Sequence, residues 1–108
     1  MTHQSAEKLY ALLSTTQHVE LRRDLDSAAV AYAHWRAQWA MAAPDGRRDM
    51  DAARYASHNV LIDSCNVLAR AMTQAGEDSS WRNQLGNDRK VIGDFGCYVA
   101  CSLAVSAR

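Results

Sequence analysis

Proline and phenylalanine occur once each in this 108-residue chain, cysteine three times and glycine five times. With Pro44 the only proline, little interrupts a continuous helix, and β-branched residues are too few to favour strands. No apolar run approaches the roughly 20 residues that span a bilayer, so no membrane segment is expected. Met1-Thr2-His3-Gln4-Ser5 lacks a basic stretch leading into an apolar one, so no secretory signal is read there. An excess of one charge is missing as well. Twelve basic and twelve acidic residues give a formal net charge of zero, which sets up no long-range field for DNA or anionic membranes. The cysteines are odd in number and sit inside helical patterns, as free thiols of a reducing compartment do, and the expected location is cytoplasmic. There is no Ser-His-Asp set, paired-glutamate motif or phosphate loop.

What is present favours helix. The apolar fraction is 48% and the charged fraction 22%, and alanine, leucine and arginine are abundant. A chain of this length buries roughly two-thirds of its unfolded surface, enough for one domain over 1–108. Ser5 to Leu13 reads as a short first helix, followed by Ser14-Thr15-Thr16, where either threonine can cap the next. The second helix is expected over about 17–43. Its apolar positions Leu21, Leu25, Ala28, Tyr32, Trp35, Trp39 and Ala42 alternate four and three apart, the spacing that keeps one seam on a partner helix. Glu20, Arg23, Asp26, Ser27 and His34 take the other side. Ala43-Pro44-Asp45-Gly46 reads as a turn, with proline ending one helix and Asp45 capping the next.

The third helix is expected over about 47–75, stopped by Gly76. From Asn59 to Met72 it is apolar nearly all round, with only Asn59, Asp63, Asn66 and Arg70 on a narrow polar strip, so burial from several sides is expected. Trp81 to Leu85 makes one or two turns. Asn87 or Asp88 then caps a final helix over about 87–107, whose Gly93, Gly96, Ala100, Ala104 and Ala107 share a side. An interior glycine costs about 1 kcal/mol relative to alanine, so a close contact must offset the pair. The fold class that follows is an all-α bundle built on a long antiparallel hairpin.

Function is read by weighing constellations. Asp63, Arg70, Asp94 and His58 are candidates for a polar site inside the bundle, a carboxylate in a dry cleft being a potential base. The plainer reading pairs Asp94 with Arg70 or with an arginine near its own helix start. Cys97 and Cys101 share a face, with Cys65 and His58 as possible neighbours, but the spacing is not that of a zinc site, and neither metal nor cofactor is expected. His3, His18, His34 and His58 have no ligand spacing. Arg22-Arg23, Arg47-Arg48 and Arg89-Lys90 could touch phosphates, but each pair lies among acids, which predicts surface ion pairs and ranks nucleic-acid binding low. Tyr32, Trp35 and Trp39, with Gly93, Gly96, Ala100 and Ala104, are the expected interface, and a homodimer is expected to cover the leftover apolar surface. The leading reading is a bacterial-type non-enzymatic interaction or regulatory protein. The runner-up is an enzyme or small-ligand binder around Asp63, Arg70, Asp94 and His58.

Overall fold

The computed structural model describes residues 1–106, and among them are five helices and no strand. These are α1 (His3–Leu13), α2 (Val19–Met41), α3 (Pro44–Gln74), α4 (Ser80–Leu85) and α5 (Arg89–Ser106). No helix is long and apolar enough to cross a membrane among the described residues. As the periodicity predicts, α2 and α3 form the long antiparallel hairpin. Packing runs along α2–α3 and α2–α5, while α1 bridges α4 and α5.

The local chemistry sets the boundaries. Thr2 caps α1 by accepting the Ser5 amide on Oγ1 at 3.1 Å, so this helix starts two residues before Ser5. Neither Thr15 nor Thr16 caps α2, which begins after His18; instead Thr16 Oγ1 accepts the His18 amide at 3.1 Å and holds a turn. The expected turn at 43–46 is also shorter than its composition implies. Pro44 is the first residue of α3, where its fixed φ suits a helix and its missing N–H leaves nothing unpaired. Asp45 therefore lies inside the first turn rather than capping it. Gly76 does end α3: at φ +75° it lets the Glu77 amide reach the Met72 carbonyl at 2.8 Å and its own amide reach that of Thr73. Asp88 caps α5 through the amides of Lys90 and Val91.

The core gathers around Trp81, Phe95, Leu13, Leu25, Leu61 and Met72, all fully buried. Trp81 donates its indole N–H to Met72 Sδ at 3.3 Å, which fixes α4 on α3. The contact demanded by the interior glycines is found inside the chain. A Cβ on Gly93 would stand 2.6 Å from Tyr32 Oη, and one on Gly96 2.6 Å from Leu61 Cδ2. Two expectations are corrected here. The third helix is not buried on every side, because Val60 and Val67 are 54% and 45% exposed where no helix covers them. The small-residue side of the final helix is not buried throughout: Ala100 is half-buried and Ala104 exposed, while Leu103 still packs against the core; Ala107 lies outside the described residues.

Burial also stops abruptly along the hairpin. Between Tyr32 and His58 no residue is buried, so the outer half, residues 33–57, is an arm extending beyond the core. At 1.5 Å per residue the 31 residues of α3 run about 46 Å. That length accounts for the 48 Å long axis of a molecule only 28 and 24 Å across.

Candidate functional site

The α3 seam continues into the arm with different chemistry. His58, Leu61, Cys65, Leu68 and Met72 recur at three- and four-residue intervals and are buried. The same register extended backwards gives Arg54, Asp51 and Arg47, so the inward side of the arm carries charge where the core carries leucine. Opposite them α2 presents Trp39. Its indole N–H donates to Asp51 Oδ1 at 2.9 Å, and Arg47 donates from Nε to the Trp39 carbonyl at 3.1 Å and from Nη2 to that of Ala40 at 3.3 Å.

The guanidinium groups stack on rings. Arg47 lies 4.4 Å and Arg54 4.8 Å from the Trp39 centroid; Arg54 also lies 5.2 Å and Arg89 5.7 Å from that of Tyr55. The result is a ladder, Arg47–Trp39–Arg54–Tyr55–Arg89, crossing three helices. Cation–π attraction holds the charges in place without neutralising them. The expected surface ion pairs are thus replaced at Arg47 and Arg89: the former binds carbonyls and an indole, the latter Tyr55 and Asn59 Oδ1 at 3.0 Å.

Beside the ladder, α2, α3 and the start of α5 enclose a cleft of about 350 Å³. Arg36, Arg54, Arg89 and Lys90 line it together with Tyr32, Trp39, Tyr55 and His58, and among the described residues no carboxylate does. His58 is only 6% exposed, and its ring stands 4.8 Å from that of Tyr32. Burial pushes its pKa below the usual 6.5, and the charges of Arg89, Arg54 and Arg36 push the same way, against a backbone hydrogen bond to Arg89. Neither His58 Nε2 nor Arg54 Nε has a hydrogen-bond partner although both atoms are buried.

Arg36 separates this cleft from a larger cavity of about 520 Å³ between α1 and α5. It donates to Asp94 Oδ1 at 3.0 Å and to Cys97 Sγ at 3.5 Å. Asp94 therefore pairs with α2, not with Arg70 or an arginine of its own helix; the Met1 amino group is its other cation, at 3.9 Å. Burial works against the charge of Arg36, but Asp94, Cys97 and Tyr32 outweigh it and its pKa is raised. The cavity also takes Cys97 and Cys101. Burial raises the Cys97 thiol pKa, and that of Cys65, deep in the core, goes up to about 12.

The four candidates for a polar site are dispersed. Asp63 and Arg70 are exposed, Asp63 on a shallow groove with Leu21 and Val60; Asp94 faces the larger cavity; only His58 lines the cationic cleft. The expected interface residues divide too. Tyr32, Gly93 and Gly96 are buried against one another or Leu61, whereas Trp35 and Trp39 are half-buried on the arm. Among the described residues no cluster of three or more His, Cys, Asp or Glu could hold a metal ion. Set against protein families, curated proteins and solved structures, the chain matches none. Its chemistry has to be read from its own residues. The sequence reading takes Arg47, Arg89 and Lys90 as members of surface ion pairs; their convergence with Arg36 and Arg54 escapes it because these cations come from three helices. The usable signal was the α3 seam turning polar at 47, 51, 54 and 58.

Proposed function

We propose that this is a non-enzymatic interaction protein that grips a negatively charged segment of another protein with the arm of its helix hairpin. The ladder is the observation that supports this reading. Three guanidinium groups are fixed by rings, with Asp51, 3.8 Å from Arg54, the one acid paired to any of them among the described residues. Arginine and aromatic residues dominate interface energetics because they bring area and charge at low ordering cost. An arm without a buried residue between 33 and 57 also leaves these groups reachable. Tyr32, Gly93 and Gly96 are covered within the chain and form no part of the proposed contact surface.

The test is fluorescence anisotropy with a labelled glutamate-rich peptide against a glutamine-rich peptide of equal length. The acidic peptide should bind, weaken steeply with salt, and lose about tenfold on Arg47→Gln. Equal binding of the two peptides, or an unchanged affinity in the variant, refutes the proposal.

A further inference from the structure

We propose that the cleft beside the ladder is a binding site for a phosphoryl group, a tetrahedral dianion carried on a small phosphate ester or on a modified side chain. The argument begins with charge. Of the four cations lining the cleft, Arg36 has Asp94 at 3.0 Å and Arg54 has Asp51 at 3.8 Å. Arg89 and Lys90 have no carboxylate within ion-pair distance among the described residues, and Asp88 directs its own to the amides that start α5. Two positive charges, both on exposed residues, thus stand without a paired acid among the described residues of a chain whose net charge is zero. A carboxylate or other monoanion would balance one of them; a phosphate monoester, at −1.5 to −2 near neutrality, balances both.

Unmet hydrogen bonding is the second, independent observation. His58 lines the cleft at 6% exposure with Nε2 unpartnered, and Arg54 Nε beside it is buried and unpartnered too. An orphaned buried donor or acceptor is costly to leave unmet, and a bound group rich in acceptor oxygens would satisfy both. A phosphoryl group has enough acceptor oxygens for both, once His58 takes a proton. The groups facing His58 are Tyr32 and Arg36 from α2, Arg54 from α3, and Arg89 and Lys90 from α5; burial, with the charges of Arg89, Arg54 and Arg36, holds its pKa below the ordinary value. A dianion among them reverses that bias, so binding takes up a proton. The volume of about 350 Å³ exceeds what the anion needs and leaves room for the organic group bearing it.

This site and the protein-binding arm share Arg54 and Arg89 but differ at Arg47 and Lys90, which lets the two proposals fail separately. Isothermal titration calorimetry with phenyl phosphate, benzoate and sulfate tests the cleft. Phenyl phosphate should bind at least about tenfold tighter than benzoate, its monoanionic analogue. Lys90→Gln should weaken it about fivefold and Arg89→Gln about tenfold, with Arg70→Gln without effect and circular dichroism unchanged throughout. Sulfate, a dianion at every pH used, should bind more tightly from about pH 7.5 to 5.5, and His58→Gln should flatten that profile. A phosphotyrosine peptide supplies the remaining arm: tighter binding than the free ester identifies a phosphorylated partner as the source, equal binding a small ester. Equal affinities for phenyl phosphate and benzoate, or indifference to Lys90→Gln and Arg89→Gln, overturn the site whatever the acidic peptide does.

Discussion

Gly93→Ala sets two opposing effects against each other at one atom. Replacing an interior helix glycine by alanine favours the helix by about 1 kcal/mol. Here the added Cβ would meet Tyr32 Oη at 2.6 Å, Cζ at 3.1 Å and Cε2 at 3.2 Å. Oη is fixed in the plane of the ring, so these three atoms of a ring that is 4% exposed cannot clear without tilting it, and the His58 ring already lies 4.8 Å away. Overpacking of this kind costs about 1–3 kcal/mol. Because the contact also sets the α2–α5 separation, overpacking should win, with a net loss of up to about 2 kcal/mol and a Tm lower by up to about 12 °C. Thermal and urea unfolding followed at 222 nm measure it. Tyr32→Phe removes the atom in the shortest contact, so Gly93→Ala should cost at least about 1 kcal/mol less in that background, a coupling read from the double-mutant cycle. Gly96→Ala offers a comparison, because its nearest obstacle is one rotatable methyl of Leu61 and the next atom is 3.7 Å away. A higher Tm for Gly93→Ala, or an equal penalty in both backgrounds, would show that the glycine serves no close approach.

Three further outcomes follow from the same geometry. Trp39→Ala should leave global stability within about 1 kcal/mol while speeding amide hydrogen exchange across residues 37–54, since the indole ties the arm and not the core; uniform acceleration over the whole chain would contradict this. Thiol labelling with an aromatic disulfide should modify exposed Cys101 first, half-buried Cys97 slowly, and Cys65 only on unfolding, its thiol being buried and its pKa near 12. For pH, His58 is lowered in the folded state, so the unfolded chain binds the extra proton. The stability associated with neutral His58 is present above pH 6.5 and is lost as pH falls below it, and His58→Gln should reduce the fall in Tm between about pH 7.5 and 5.5.

The fold was legible where one physical rule acted alone. The seam Leu21–Leu25–Ala28–Tyr32 obeys the heptad spacing and is buried or half-buried, and Gly76 stops α3 because only glycine accepts φ +75° cheaply. Reading failed where a residue type fits two roles. Proline ends a helix and equally begins one, so Pro44 marked the right place and the wrong side of it. The partner of Asp94 was beyond reach, since Arg36 meets it across a helix–helix packing that no spacing encodes.

The cationic cleft belongs to a different class, half written in the sequence. A seam position faces a partner helix whatever occupies it, so Arg47, Asp51 and Arg54, lying in register with Leu61 and Leu68, had to face α2 as well. Charges placed there forbid a dry core, and the chain answers with Trp39 and Tyr55, surfaces that hold a guanidinium without cancelling it. The change of seam chemistry at His58 is therefore the boundary between the half of the hairpin that carries the core and the half that does not. The contribution of α5, Arg89 and Lys90, could not be read this way, because it depends on where Gly93 lets that helix come to rest against Tyr32. The close approach at Gly93 thus bears on the cleft as well as on the core. Gly93→Ala should weaken phenyl phosphate together with Tm, whereas Gly96→Ala, yielding at a Leu61 methyl, should disturb both less.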